Sequence, residues 1–333
     1  MSAEMPANVR VNWPDGGSMM LPTLWLRDVC PCPDCRIEQT QEKRFHLAAL
    51  ESVSVASLCA DAEGLKVTWS EGHNSVYPRS FLEANHVRDQ PKWRPWSDDY
   101  SPGYFDFTTF LSDRVYAIRA IEEFLEAGVL VLTNSPTEEL TLERLAARLG
   151  PIREVLFDRI HNVKVDPKGY NVAHTSLPLP PHNDFASYSW PPSVQALHML
   201  ANEAKGGRST IYDGWAVLQA FRQEDPAAFD VLCRVAVPFR EFDDGNETFA
   251  CEPIIRLNPN GEMGIFRYSN QLMQVMDPLN PDTAAFYDAY YKLSRRLITS
   301  PFNRRFRLHG GEILVVASHR ILHGREAIED AGF

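Results

Sequence analysis

The chain has 333 residues, of which 44% are hydrophobic and 23% are charged, ordinary values for a globular protein. Lys and Arg total 33 against 44 Asp and Glu, a net charge of −11 that argues against nucleic acid or an anionic membrane as the main partner. No apolar run approaches the ~20 residues of a membrane span, and the N-terminus lacks the apolar core of a signal peptide, so we expect a cytoplasmic enzyme.

The N-terminal part of the chain predicts a small β-rich unit. Residues 9–13 alternate between apolar and polar side chains, and Pro14-Asp15-Gly16-Gly17 has the composition of a turn. Leu21 to Leu26 and Leu65 to Trp69 are two further strand candidates. We therefore expect several short strands before residue 70.

Three cysteines in a proline-rich loop predict a metal site in this unit. Cys30, Cys32 and Cys35 are too close together to pair easily with one another, and a reducing compartment disfavours disulfides. Three thiolates on a tight loop suit tetrahedral Zn²⁺, which needs a fourth nitrogen or sulfur ligand. His73 is the best local candidate and His46 the competitor, while reduced surface cysteines are the alternative. A closed set of four ligands would be structural.

A linker separates this unit from the rest of the chain. Residues from about Arg88 to Tyr104 are rich in Pro, Trp and Asp, a composition typical of connecting segments. We place the boundary near Asp98, which gives an N-terminal domain of residues 1–98 and a second domain of residues 99–333.

The second domain opens with helix signals. Ser112 or Asp113 is expected to cap a helix whose apolar stripe ends at Gly128, and residues 129–132 follow as a buried strand. A second helix is expected from Thr141, as its cap, to Leu149.

The remaining elements alternate strands with a few helices. We expect a strand pair over residues 160–176, a helix at 216–222 and a long amphipathic helix at 281–296. The other strand candidates are residues 194–200, 209–212, 235–253 and 313–316. Many short strands flanked by helices favour a β-sandwich core over a parallel α/β sheet.

The stretch Pro181-His182-Asn183-Asp184-Phe185 predicts part of a second metal site. In an extended segment, residues i and i+2 point to the same side, so His182 and Asp184 can offer an imidazole and a carboxylate to one ion. One distant histidine would complete the two-His, one-carboxylate face that holds non-haem Fe(II) and leaves positions open. His323, in Leu322-His323-Gly324-Arg325, is the candidate.

Taken together, these pieces resemble the γ-butyrobetaine hydroxylase branch of the Fe(II)/2-oxoglutarate dioxygenases, in the taurine dioxygenase superfamily. The N-terminal match is Leu24-Trp25-Leu26-Arg27-Asp28 followed by Cys-Pro-Cys-x-x-Cys. The later matches are His182-Asn183-Asp184, Pro192-Ser193-Val194-Gln195, Leu197-His198, Gly206-Gly207, Asp213-Gly214-Trp215 and Leu322-His323-Gly324-Arg325. The resemblance implies a mainly β fold with flanking helices: a double-stranded β-helix (jelly-roll) catalytic domain plus a small zinc-binding N-terminal β-rich domain.

The resemblance also implies the ligands and the reaction. Iron would be held by His182, Asp184 and His323, and structural zinc by the three clustered cysteines with His73. Decarboxylation of the co-substrate 2-oxoglutarate, with O₂ as second co-substrate, would drive hydroxylation of an unactivated C–H bond. The co-substrate would lie near Leu197 and either Arg325 or Arg320. The family's usual carboxylate-binding arginine would fall beyond Phe333, and we expect it there.

The implied substrate is a small quaternary ammonium acid, resembling γ-butyrobetaine or 2-(trimethylammonio)ethylphosphonate. Positions that match the family's aromatic cage hold Phe157, His161 and His174, a weaker set of π-faces for a cation. Tyr188 could line the same pocket or belong to the core. Positions that match the family's carboxylate-binding residues hold Asn171 and Asn270, with Arg267 close by.

Two other functions compete with the hydroxylase. One is a zinc-stabilised jelly-roll binding protein without oxygenase activity, which the intact set of three iron ligands disfavours. The other is a zinc hydrolase that uses the same three ligands, which would need a carboxylate base, and no Glu lies next to the motif. The resemblance also implies a homodimer.

Overall fold

The computed structural model describes residues 8–84, 92–97, 99–165, 172–243 and 245–329. The chain divides into two compact units, residues 1–90 and 91–333. The predicted boundary at Asp98 lies outside the described residues.

The N-terminal unit is built from two small antiparallel sheets. Strands β1 and β2 form a hairpin, and β3, β4 and β5 form a three-stranded sheet with β4 in the centre. Its elements are β1 (Asn8–Asn12), β2 (Ser18–Pro22), α1 (Thr23–Asp28), β3 (Val55–Ala60), β4 (Gly64–Trp69), β5 (Asn74–Pro78) and α2 (Arg79–Ala84). The apolar core of the unit contains Val11, Trp13, Leu26, Leu65, Val67, Trp69 and Tyr77. The expected β-rich unit is confirmed.

The predicted strand over Leu21 to Leu26 is wrong, because β2 ends at Pro22 and helix α1 begins at the next residue. Proline has no N–H to extend a β ladder, so the chain leaves the hairpin there. One helical turn then buries Leu26 and Arg27 and leaves Leu24 exposed.

The second unit contains two four-stranded sheets and most of the helices. Its first half comprises β6 (Gly103–Asp106), α3 (Phe107–Ser112), α4 (Arg114–Ala127), β7 (Val129–Thr133), α5 (Thr141–Leu149), β8 (Leu179–His182), β9 (Val194–Met199) and β10 (Ser209–Asp213). Its second half comprises α6 (Gly214–Glu224), α7 (Pro226–Arg234), β11 (Ala236–Phe242), β12 (Glu247–Pro253), β13 (Ile255–Leu257), β14 (Met263–Phe266), α8 (Thr283–Ile298), β15 (Asn303–Phe306), β16 (Glu312–Ala317) and β17 (Ile321–Arg325).

The two large sheets pack face to face. One has the order β6-β7-β16-β9 and the other the order β15-β10-β17-β8, with β6–β7 parallel and the other pairs antiparallel. Between them lie Trp96, Val129, Val131, Ile211, Leu308, Leu314, Val316 and Ile321. Helices α3, α4 and α5 cover the outer face of the first sheet, and α6, α7 and α8 contribute to the core on the far side of the second. The expected β core with flanking helices is confirmed.

Helix α4 is capped as the sequence predicts. The Asp113 carboxylate accepts hydrogen bonds from the backbone N–H groups of Val115 and Tyr116, and Gly128 ends the helix at φ 81°. Thr141, by contrast, does not cap α5, because its hydroxyl donates to the carbonyl of Pro136.

The predicted strand pair over residues 160–176 is wrong for the residues that are described there. Residues 160–165 have no regular structure, and Val172–His174 is a short 3₁₀ helix. The His174 Nδ1–H donates to the carbonyl of Lys164 at 3.0 Å. A side chain therefore occupies a backbone carbonyl that would accept an inter-strand hydrogen bond in a β-sheet. The predicted turn at residues 167–169 lies outside the described residues.

A buried ion pair links the end of β10 to the residue that precedes β17. The Arg320 guanidinium donates to both carboxylate oxygens of Asp213, at 3.0 and 2.7 Å, and the two side chains are 3% and 0% exposed. Arg320 also donates to the carbonyls of Glu126 and Arg94, and its guanidinium carbon lies 5.1 Å and 5.8 Å from the ring centroids of Trp93 and Trp215. This set joins the start of β17, the start of α6 and the segment 92–97.

We predict that Asp213→Asn lowers the free energy of unfolding by about 3–5 kcal/mol, because it leaves a buried guanidinium without its counter-charge. Urea unfolding followed by tryptophan fluorescence measures the change. Asp230→Asn is the control: its contact with Arg234 is 3.9 Å long, its side chain is 76% exposed, and its effect should stay within about 0.5 kcal/mol. Equal midpoints for the two variants would contradict this account.

Candidate metal centres and substrate pocket

The pairing of β8 with β17 brings two distant histidines together. Strand β8 is an edge strand, which tolerates Pro180 and Pro181, and His182 at its end lies directly opposite His323 of β17. Gly324 follows, where a Cβ would lie 2.5 Å from the carbonyl of Leu179, so only glycine permits this close approach.

Asp184 completes a group that we call the metal trio: His182, Asp184 and His323. His182 Nε2 lies 3.2 Å from Asp184 Oδ1, His323 Nε2 lies 3.8 Å from Asp184 Oδ2, and the two imidazole centroids are 4.5 Å apart. Metal bonds of about 2.1 Å at right angles would hold neighbouring ligand atoms about 3.0 Å apart. Among the described residues, the group that could hold an ion at this site contains these three and no fourth member. The trio therefore fits an ion with coordination positions to spare.

Neighbouring groups orient the trio. The His182 Nδ1–H donates to the carbonyl of Pro180 at 2.9 Å, which leaves the Nε2 lone pair for a metal. The Asn183 side chain donates to the carbonyl of Ser318 and accepts from the backbone N–H of Tyr268. The Gln195 amide donates to Asp184 Oδ2.

The charges at the trio favour a bound cation. Burial alone would raise the pKa of Asp184, but the nearby imidazoles of His323 and His182 outweigh it and hold that pKa well below its usual value. Burial lowers the pKa of His323 to about 4, whereas the hydrogen bond to Asp184 raises the pKa of His182 despite burial. The Asp184 carboxylate thus remains ionised, the state in which it can bind a metal ion.

An aromatic wall follows the trio: Phe157, His161, Phe185 and Tyr188. Phe185 has φ 58°, a left-handed conformation that is costly for an aromatic residue, directly after Asp184. Its ring lies 6.2 Å from that of Phe157 and 5.6 Å from that of Tyr188, and Phe157 lies 5.4 Å from His161. The sequence indicated Phe185 only as part of the motif, whereas the left-handed turn brings its ring beside those of Phe157 and Tyr188.

His161 is exposed overall, but partial burial of its imidazole lowers its pKa, which favours the neutral ring. His174 is buried in the 3₁₀ helix, with its Nδ1–H on a backbone carbonyl. Asn270 is exposed, and its Oδ1 accepts from the Tyr290 hydroxyl at 3.5 Å. Asn171 lies outside the described residues.

Two of the sequence-predicted polar residues, Arg267 and Tyr188, form hydrogen bonds with the backbone. Arg267 donates to the carbonyls of Ala186, Tyr188 and Ser189, so it supports the loop that follows the trio. Tyr188 accepts a hydrogen bond from the backbone N–H of Leu156 through its hydroxyl.

The residues predicted to lie near 2-oxoglutarate differ in whether their hydrogen-bond donors already have partners within the protein. The Nε, Nη1 and Nη2 groups of Arg320 all donate hydrogen bonds, to the Asp213 carboxylate and to the carbonyls of Glu126 and Arg94. Arg325 lies two residues after His323 on β17, donates to the carbonyls of Ala173, Thr175 and Leu177, and has a buried Nε without a partner among the described residues. Leu197 of β9 packs against the core between the two sheets.

In the N-terminal unit, Cys30, Cys32, Cys35 and His73 form a second compact group. His73 Nε2 lies 3.4, 3.6 and 3.5 Å from the three sulfur atoms, in chain order. Bonds of about 2.3 Å to sulfur and about 2.0 Å to nitrogen at tetrahedral angles would hold these atoms about 3.5 Å apart. The spacing therefore fits a tetrahedral ion. His46 is exposed and its Nδ1 accepts from the backbone N–H of Ala48, so it is not the fourth member.

Donors to sulfur surround this cluster. Ser75 donates to the sulfur of Cys30 at 3.0 Å, and Arg27 donates to the sulfur of Cys35 at 3.3 Å. Burial raises the pKa of the Cys35 thiol to about 12, so a cation must supply the charge that stabilises its thiolate. Burial and the charge of Arg27 lower the pKa of His73, which keeps its imidazole neutral for ligation.

A carboxylate that the sequence did not suggest also lies near the trio. Glu241 of β11 accepts a hydrogen bond from the Ser187 hydroxyl at 3.5 Å, and Ser187 is buried three residues after Asp184. Burial and the negative charge of Asp184 raise the pKa of Glu241 to about 7. Since 57 residues separate Glu241 from Asp184, no local pattern could have found it.

The sequence matches two protein-family profiles. Residues 91–332 match the family described as "Taurine catabolism dioxygenase TauD, TfdA family", and residues 3–83 match "Gamma-butyrobetaine hydroxylase-like, N-terminal".

No helix among the described residues is both long and apolar enough to span a membrane.

Curated relatives match over nearly the whole chain. A protein named gamma-butyrobetaine dioxygenase from Pseudomonas sp. (strain AK-1) is 33% identical, over 99% of this chain and 89% of that one. The human gamma-butyrobetaine dioxygenase is 24% identical, over 96% and 87% of the two chains. The mitochondrial trimethyllysine dioxygenase of Rattus norvegicus is 26% identical, over 91% and 76%.

We predict that Gln195→Leu weakens the binding of Mn²⁺ at the trio about tenfold, because Asp184 loses the donor that orients it. Isothermal titration of the metal-free protein with Mn²⁺ measures the affinity. The control is Gln274→Leu, which removes a side-chain amide that donates to the Leu272 carbonyl. Equal affinities for the two variants would show that Gln195 does not position the carboxylate.

Proposed function

The chain belongs to the taurine catabolism dioxygenase TauD, TfdA family, and on that premise we propose that it is an Fe(II)- and 2-oxoglutarate-dependent hydroxylase of a small trimethylammonium acid. The observation that carries the proposal is the metal trio, in which two imidazole nitrogens and one carboxylate converge without a fourth ligand from the described residues. This donor set is typical of non-haem Fe(II) centres that bind a co-substrate and O₂ in their open positions.

The fold assignment belongs to the same proposal. We assign the two packed sheets of the second unit to the double-stranded β-helix of this family, with the trio at the end of β8 and within β17. The bound group would couple decarboxylation of 2-oxoglutarate, to succinate and CO₂, to insertion of one oxygen atom into a C–H bond. The protein holds the ion through His182, Asp184 and His323, keeps Asp184 ionised, and places apolar rings beside the site.

The pocket supports a quaternary ammonium substrate. Phe157, Phe185 and Tyr188 present aromatic rings, and His161 adds an imidazole whose lowered pKa favours the neutral form, so the wall offers π-faces for a cation. The Arg153 guanidinium lies over the Tyr188 ring, 5.2 Å from its centroid, and already occupies one face of that ring. We propose Asn171 and Asn270 as partners of the acidic end. Both γ-butyrobetaine and 2-(trimethylammonio)ethylphosphonate have this combination of a cationic head and an acidic end.

We further propose that Cys30, Cys32, Cys35 and His73 hold a structural Zn²⁺. The three S···N distances and the donors from Ser75 and Arg27 support this assignment. With all four positions filled by protein, the ion would have no open site for chemistry and would stabilise the small N-terminal unit.

We expect the protein supplied with Fe(II), 2-oxoglutarate and O₂ to form succinate when one of the two trimethylammonium acids is added. Succinate and the hydroxylated amine are quantified together by NMR. Asp184→Ala and His323→Ala should reduce turnover below detection, because either change removes one of three ligands. His198→Ala is the control. This variant should remain active, because His198 contacts Ser135 and is not part of the trio. Unchanged turnover in Asp184→Ala would refute the assignment of the iron site.

We expect one equivalent of Zn²⁺ to copurify with the protein and to be lost in Cys32→Ser, because a hydroxyl is a poor ligand for a site built from thiolates. Elemental analysis gives the metal content, and limited proteolysis reports whether the N-terminal unit loosens. Cys59→Ser is the matched control, since Cys59 is an exposed cysteine outside the cluster. Full zinc content in Cys32→Ser would contradict the tetrahedral site.

A further inference from the structure

Glu241 is a partly buried carboxylate beside the metal trio that the proposed chemistry leaves without a role. Its strand, β11, directs Arg240 and Phe242 to the other side, where Arg240 pairs with Glu247 of β12. Glu241 instead lies against Ser187, whose hydroxyl is also 2.7 Å from that of Thr248. The carboxylate is thereby held next to the loop that runs from Asp184 through the aromatic wall.

No cation within the described part of the chain forms an ion pair with Glu241. The one described hydrogen bond to its carboxylate comes from a neutral hydroxyl, and the like charge of Asp184 acts against its ionised form more strongly than His182 supports it. A carboxylate that is removed from water without a counter-charge is costly. Such a group is retained where a ligand supplies the missing charge.

We propose that Glu241 is the counter-charge for the cationic head of the substrate and selects a quaternary ammonium over a neutral group of the same shape. This inference rests on the proposed function and adds a residue to it. The aromatic wall attracts a cation through its π-faces, but it also accommodates a neutral tert-butyl group. A carboxylate adds the charge discrimination that rings alone provide only weakly.

Other roles for Glu241 fit less well. It is not part of the group of residues that could hold an ion at the trio. It is also a poor neighbour for 2-oxoglutarate, because two carboxylate groups of like charge repel each other. The remaining alternative is that Glu241 only supports the loop through Ser187. That role would affect every ligand of the pocket alike, whatever its charge.

The test compares each amine with its carbon isostere. The pairs are γ-butyrobetaine with 5,5-dimethylhexanoate, and 2-(trimethylammonio)ethylphosphonate with 3,3-dimethylbutylphosphonate. Isothermal titration is performed on the full chain with Mn²⁺ and 2-oxoglutarate, so binding is measured without turnover. Glu241→Gln keeps the shape and the hydrogen bond of the side chain but removes its charge. Glu247→Gln, on the same hairpin but paired outward with Arg240, is the control.

We expect Glu241→Gln to weaken binding of the amine about tenfold or more, while the isostere binds as before or more tightly. The Michaelis constant for 2-oxoglutarate should not change, and Glu247→Gln should leave all these values unchanged. Equal losses for amine and isostere would overturn the inference in favour of loop support, and no loss for either would overturn it as well. If the amine still drives succinate formation in either case, the proposed function stands and only the role of Glu241 falls.

Discussion

The antiparallel register between β8 and β17 is the constraint on which the active site depends. It places His182 and His323 opposite each other although 141 positions separate them in the sequence. Asp184, two residues after the end of β8, then lies close to both imidazole rings. A shift of one residue would turn either histidine to the opposite face of the sheet. Gly324 protects this register, because the strands approach too closely there for any side chain.

Around this register, the unit uses buried arginines as structural ties. Arg320 joins β17 to Asp213 and to the segment 92–97, and Arg267 gathers three carbonyls of the loop that follows Asp184. A guanidinium suits this task because its several N–H donors are fixed in one plane and its charge persists when buried. The hydrogen bonds of both arginines go to backbone carbonyls and to Asp213, so these side chains hold the fold together.

The residues around the metal trio share features that favour one kind of ligand. Aromatic rings and His161 lie beside the trio, and among the described residues no arginine or lysine forms an ion pair with the neighbouring carboxylates of Asp184 and Glu241. An ion at the trio would offset Asp184, and a cationic ligand would offset Glu241. The electrostatics of the protein and the chemistry proposed for its substrate are therefore consistent, and the strained conformation of Phe185 is the local cost of bringing ring and carboxylate together.

The sequence alone determined the features that depend on local spacing: the His-x-Asp pair, the cysteine cluster, the cap and end of α4, and the apolar strands of the core. These follow from the periodicity of strands and helices and from the short reach of loops, so neighbouring residues suffice. It could not determine whether Arg320 or Arg267 faces a ligand, or that Glu241 lies near Asp184. Those outcomes depend on which distant backbone carbonyls and carboxylates the packed sheets bring within hydrogen-bonding distance, and only the tertiary structure decides that.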